Sequence, residues 1–178
     1  MGDIIKTASF EQRVAALDGS GTLSCFAFDS KITGNCVFNM KKAGVVDFCM
    51  MKPTIFGLCT GNSIQVIDTL LHPKRQSVFR LQMAQSPLGV QNYRETKLAV
   101  ARKNDLLVYD IRMDMQEYGR DYNGGKFRCM ETNHDDKLFI GRADNNRLKI
   151  VDCATPDNDL DIRLSKGSVG NYFCMLRG

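Results

Sequence analysis

Cys129 and His134 stand five positions apart, with Asp135 and Asp136 beside the histidine. A thiol nucleophile, an imidazole base and an orienting carboxylate would make a cysteine-dependent enzyme. That chemistry needs base and nucleophile within hydrogen-bond reach. Phe127-Arg128-Cys129-Met130-Glu131 reads as a strand, and His134 falls in the turn after it. At ~3.3 Å per residue the two groups are then about 16 Å apart, too far for proton transfer. No catalytic residue is assigned. Asp121-Tyr122-Asn123-Gly124-Gly125-Lys126 has the glycines of a phosphate loop but not the Gly-x-x-x-x-Gly-Lys-Ser/Thr spacing, so no nucleotide cofactor is expected. The seven cysteines, at 25, 36, 49, 59, 129, 153 and 174, form no Cys-x-x-Cys. The two histidines, His72 and His134, lie far apart in the chain, and no metal site is expected. Most of the cysteines lie in apolar runs, where a free thiol acts as a small buried hydrophobe. Their odd number points to reduced thiols.

Charged residues are the remaining candidates. Arg102, Lys103 and Asp105 occupy one short polar stretch, and Arg142, Asp144 and Arg147 another. Arg102 and Arg142 each follow an apolar strand-like run directly. Paired guanidiniums at equivalent places can clamp a carboxylate or phosphate on a partner. Arg102, Lys103, Arg142 and Arg147 are therefore the candidate partner-binding residues, with ordinary solvated loop charges as the alternative. The one dense basic cluster, Pro73-Lys74-Arg75, follows a strand and reads as a solvated loop. The net charge of +4 is spread along the chain rather than concentrated, and no direct DNA binding is expected.

The elements that must position these residues repeat. Phe26-Ala27-Phe28-Asp29, Gln65-Val66-Ile67-Asp68, Leu107-Val108-Tyr109-Asp110 and Lys149-Ile150-Val151-Asp152 each close an apolar run on an aspartate. A period of about 40 residues with strand-like spacing is the mark of a β-propeller array. Each unit resolves into four short runs rich in Val, Ile and Phe, bounded by Gly, Pro and Asn. The approximate blades are 4–40, 45–82, 88–122 and 127–165, within one array over 1–178. Phe10 to Leu17 admits one or two helical turns as an alternative, and the fourth strand of the third unit is poorly marked. Residues 169–176 read as one further strand, opening another blade or closing the first. Asn62, Asn104 and Asn146 sit six positions before the strand-closing aspartates, where Asn tolerates the left-handed conformation of a tight hairpin. Asp29, Asp68, Asp110 and Asp152 are expected to accept backbone N–H groups in the turns that follow.

The order of strand, turn and strand-Asp resembles a WD-repeat propeller blade. The chain has no tryptophan, so the Trp-Asp pair appears as Phe28-Asp29, Ile67-Asp68, Tyr109-Asp110 and Val151-Asp152. The Gly-His pair of that family is missing, and its buried His–Ser/Thr–Asp–Trp network cannot form in full. Asp68-Thr69-Leu70-Leu71-His72-Pro73, then Ser77-Val78-Phe79-Arg80-Leu81, is similar to the C-terminal propeller of DmX-like proteins, the rabconnectin family. Val108-Tyr109-Asp110-Ile111-Arg112 and Leu17-Asp18-Gly19-Ser20-Gly21-Thr22-Leu23-Ser24 extend the likeness. That resemblance implies an adaptor acting with the proton-pumping V-ATPase on endosomal or synaptic vesicle membranes, and it transfers no catalytic residue.

A hydrophobic content of 43% and a charged content of 25% describe a soluble globular chain. No apolar run approaches the ~18 residues of a membrane span, and a cytoplasmic location is expected. Propellers close with about four to eight blades, WD-type ones with around seven. About four units leave apolar blade faces uncovered, so the chain reads as a fragment of a longer propeller or as one completed by another chain, and self-association is expected of it alone. The expected function is a non-catalytic protein-interaction scaffold. The alternative is a structural subunit of a ribonucleoprotein or other large assembly.

Overall fold

The computed structural model describes residues 3–29, 34–121, 127–132, 137–142, 147–152, 155 and 160–163. They form sixteen strands in four antiparallel sheets of four, each sheet a simple meander in chain order. The first holds β1 (Ile4–Phe10), β2 (Arg13–Asp18), β3 (Thr22–Phe28) and β4 (Gly34–Lys41). The second holds β5 (Val45–Lys52), β6 (Ile55–Thr60), β7 (Ser63–Asp68) and β8 (Ser77–Gln82). The third holds β9 (Gly89–Arg94), β10 (Lys97–Ala101), β11 (Asp105–Asp110) and β12 (Met115–Asp121). The fourth holds β13 (Phe127–Thr132), β14 (Lys137–Arg142), β15 (Arg147–Asp152) and β16 (Leu160–Arg163). Among the described residues the one helical element is a 3-10 turn, Pro73–Arg75, between β7 and β8.

Short apolar runs cut by turn residues cannot propagate a helix, and neighbouring runs satisfy their backbone groups by pairing. The segment from Phe10 to Leu17 is strand, not helix. Its reversal falls at Glu11, held at φ 51°, and β2 pairs Arg13 with Phe10 and Ala16 with Thr7. The weakly marked fourth strand of the third sheet forms as β12, entered through Asp114 at φ 49°. Asn62 and Asn104 lie in the hairpin turns, but neither adopts a left-handed conformation, a correction to the conformational argument from sequence. The β6–β7 and β10–β11 turns close instead through side chains described below. Left-handed backbone does occur at Gly21 (φ +81°), in the β2–β3 turn. A Cβ there would lie 2.5 Å from the carbonyl oxygen of Lys42, so only glycine fits. Asn146 and the 169–176 strand lie outside the described residues.

Two compact units divide the chain, Met1–Val90 and Gln91–Gly178. In the first, Ala15, Leu17, Leu23 and Cys25 of one sheet pack with Phe48, Met50, Phe56, Leu58 and Ile67 of the next. Phe48, Phe56 and Leu58 are fully buried. Each contributes about 1.5–3 kcal/mol of transfer free energy. In the second unit Tyr93, Leu106, Val108, Met130, Leu138, Ile140 and Val151 form the core. Within each unit the two sheets thus interlock through alternate side chains, which lets a backbone of short meanders acquire a core.

Candidate partner-binding surface

Turns joining the second and third strands of each sheet carry the candidate charges. In the β10–β11 turn the Arg102 amide donates to the Asp105 carbonyl at 2.9 Å. The Arg102 guanidinium also donates to the Asp105 carboxylate, with Nε 2.6 Å from Oδ1 and Nη2 on Oδ2. Its Nε and Nη2 are thus engaged within its own hairpin. Lys103, between them, is exposed. The β14–β15 turn places Arg142 and Arg147 directly opposite each other at its base, as a register pair. Asp144 lies outside the described residues. Arg102 and Lys103 are therefore brought together in one turn, and Arg142 and Arg147 in another.

Equivalent turns in the first unit are closed by different polar groups. Asp18 Oδ1 accepts from Ser20 N at 2.9 Å, Ser20 Oγ at 2.7 Å and Thr22 N at 2.9 Å. Around the β6–β7 turn, the Thr60 and Ser63 hydroxyls are 2.7 Å apart, and Gln65 Nε2 reaches Ser63 Oγ at 3.3 Å. The Lys42 ammonium donates to Gln65 Oε1. Burial, with Arg80 nearby, pushes the Lys42 pKa down. These contacts do the work that a Trp-centred network would do: they satisfy buried polar atoms at one end of the blade.

At the opposite end the strand-closing aspartates accept bonds from the following turns. Asp68 Oδ1 takes the Leu70 amide at 3.0 Å. Asp110 Oδ1 takes the Arg112 amide at 2.9 Å, and the Arg112 guanidinium reaches the same carboxylate, 3.1 Å from Oδ2. Those donors hold the Asp110 carboxyl below the usual carboxylate range. Asp152 accepts from Thr155 N at 3.3 Å and Thr155 Oγ1 at 2.6 Å. Asp29 follows β3 and is exposed.

One polar group that sequence reasoning passed over is Asp47. It lies in β5, its Oδ1 2.5 Å from Lys6 Nζ, while its Oδ2 accepts the Val90 amide at 2.8 Å. A single carboxylate thereby ties Lys6 of β1 and the Val90 amide to β5, all within the first unit. Burial pushes its pKa up, and the charge and hydrogen bond of Lys6 oppose that shift. The signal in the sequence was an acidic residue inside the apolar run Val45–Met51, which only a buried partner explains.

Two of the buried thiols are poorly suited to nucleophilic chemistry. Burial pushes Cys59 up to about 12, with the Asp47 charge adding to the effect, and raises Cys25 as well. Cys129 is placed in β13, opposite Gly141. His134, Asp135 and Asp136 lie outside the described residues, as do residues 122–126 of the glycine-containing loop. Among the described residues no group of three or more His, Cys, Asp or Glu is arranged to hold a metal.

The covering of the first sheet differs from face to face. Ala15, Leu17, Leu23 and Cys25 are buried on the face that meets the second sheet. Val14, Ala16 and Phe26 are only half-buried on the other. Val14 pairs with Phe26, and Ala16 lies between Thr7 and Ser24, so these side chains form one patch. Asn39 Nδ2 and Ser24 Oγ, 3.1 Å apart, edge it with a polar rim.

No protein-family model and no curated protein sequence matches the chain. Solved structures do. The chain superposes on Raptor from Chaetomium thermophilum with a TM-score of 0.71 at 17% identity, over 94% of this chain and 16% of that one. It superposes on a chain of the Mitotic Checkpoint Complex with a TM-score of 0.69 at 11% identity, over 92% of this chain and 54% of that one. The chain thus spans well under two thirds of either protein. Both contain WD-type propellers, and the four-sheet architecture is that of a partial WD-like β-propeller.

Proposed function

We propose that the chain is a non-catalytic scaffold that holds protein partners, one of which covers the free face of its first sheet. The observation that carries this reading is the patch of Val14, Ala16 and Phe26. It has the blade-to-blade chemistry of a propeller, and it is only half-buried while the opposite face of the same sheet is packed in the core. Apolar blade faces gain from removal from water, at roughly 25 cal/mol per Å². A second copy of the chain or a blade from another protein supplies the same complementary surface. The high thiol pKa of Cys59 supports a non-catalytic role. The likeness to a propeller within the Mitotic Checkpoint Complex supports work inside a multi-protein assembly. The finer reading, an adaptor of the V-ATPase on vesicles, is supported by the resemblance of residues 68–81 and 108–112 to DmX-like proteins.

The test is the solution mass of the full chain by light scattering, together with a photo-crosslinker at position 16. The expected outcome is a crosslink to a second copy or to one discrete protein, abolished by Val14→Lys with Phe26→Lys. A monomer that crosslinks to nothing from position 16 overturns the reading.

A further inference from the structure

The connection between β7 and β8, residues 69–76, inverts the usual surface rule. Leu70 is 77% exposed, more than any other large apolar side chain among the described residues, and Leu71 beside it is 41% exposed. Val78, at the start of β8, is 52% exposed. Single exposed leucines are ordinary, but adjacent ones in a well-anchored turn are not.

The turn is built, not frayed. Leu70 N is bound by Asp68 Oδ1, and Leu71 N by the Asp68 carbonyl at 3.2 Å. Thr69 gives both its amide and its hydroxyl to the Thr54 carbonyl, at 2.9 and 3.1 Å. His72 Nδ1 accepts from Lys74 N, the Arg75 amide donates to the His72 carbonyl, and Asp68 N meets the Gln76 carbonyl at 2.8 Å. Backbone and side-chain bonds thus hold the two leucines out in water.

Cations follow them in the same connection. Lys74 and Arg75, in the same turn, are exposed, and no Asp or Glu occurs between residues 69 and 94. The nearest acid in the chain, Asp68, is half-buried with Leu70 N on its carboxylate. Hydrophobic tips backed by fixed positive charge match a layered target with apolar depth and an anionic surface. A protein pocket is more often filled by an aromatic or arginine anchor within a packed patch. A bilayer requires no shape complementarity, only apolar insertion and anionic headgroups.

We propose that residues 69–76, with Val78, dock the protein on anionic lipid bilayers, Leu70 and Leu71 entering the acyl boundary and Lys74 and Arg75 meeting the headgroups. This surface is separate from the free face of the first sheet, so failure of either reading leaves the other standing.

The probe is the full chain with phosphatidylcholine vesicles containing about 30% phosphatidylserine, against vesicles of phosphatidylcholine alone. Co-sedimentation is expected only with the anionic vesicles and weakens as salt is raised. Lys74→Gln with Arg75→Gln weakens it about thirtyfold. Leu70→Ser with Leu71→Ser weakens it at least about tenfold. An unchanged melting temperature shows that these exposed changes leave the fold intact. Because the chain has no tryptophan, Leu70→Trp places a single emitter at the tip, and its emission shifts to the blue on anionic vesicles. Equal binding to neutral vesicles, full binding by either double variant, or an unshifted Trp emission would each overturn the proposal. So would loop variants that lose a protein partner while vesicles bind as before.

Discussion

The first and second sheets share strand order, antiparallel pairing and similar strand lengths, yet water reaches them differently. β2 alternates, with Ala15 and Leu17 inaccessible and Val14 and Ala16 half-buried. In β6 and β7 every residue from Phe56 to Thr60 and from Ser63 to Ile67 is buried. Alternation is the pattern of a sheet covered on one face, and continuous burial that of a sheet covered on both. Hydrogen bonding completes a ladder inside each blade, whereas burial requires a second sheet on each side. The half-buried face of the first sheet is the one that the proposed partner would cover.

The largest effect expected tests that contrast with one residue type. Phe56→Ala, at a fully buried site, should cost about 3–5 kcal/mol in denaturant unfolding. Phe26→Ala, on the half-buried face, should cost about 1 kcal/mol in the isolated chain and rise when a partner covers the face. Equal costs in the isolated chain would erase the distinction between the two sheets.

A smaller effect asks how β5 is tied to Lys6 and to the Val90 amide. Asp47→Ala strips the acceptor shared by Lys6 and Val90. The expected loss is about 1–3 kcal/mol, since a buried amide and a partly buried ammonium are left unmatched. Asp47→Asn, which can still accept the Val90 amide, should recover part of it. Recovery equal to wild type would assign the stability to the amide contact alone and leave the Lys6 charge without a role.

The smallest effect separates turn chemistry from burial. The Asp110 carboxyl is depressed below its ordinary value of 3.8 by Arg112. Its contribution is therefore present above that value and lost as pH falls through the depressed folded pKa. The stability difference between wild type and Asp110→Asn should be constant near neutrality and shrink in acid, as followed by thermal melting across pH. A difference independent of pH would mean that the Arg112 contacts do not favour the ionised form.

Much of the fold was legible because strands announce themselves locally. Val66, Ile67 and Asp68 read as a strand end from their own types, and the structure ends β7 at Asp68. The same holds for β11 at Asp110 and β15 at Asp152. The turns were less legible. Asn62 and Asn104 suggested left-handed backbone, but polar side chains that reach across the hairpins, Thr60 to Ser63 and Arg102 to Asp105, close them instead. In the candidate surface, Arg102 and Lys103 were readable as neighbours in one turn. That Asp105 would engage the guanidinium was not, because the sequence left it among the loop charges and only the folded hairpin places it at the start of β11, across the turn from Arg102.

The sequence alone determined that this chain would be built from four-stranded units of about forty residues, because the alternation of apolar and polar residues and the position of turn formers are properties of short segments. Only the tertiary structure decided which face of each unit is covered, that Lys6 would meet Asp47, and that Leu70 would stand in water. Those outcomes depend on groups brought together from distant parts of the chain and on which neighbouring surface arrives to exclude solvent, neither of which any local segment encodes.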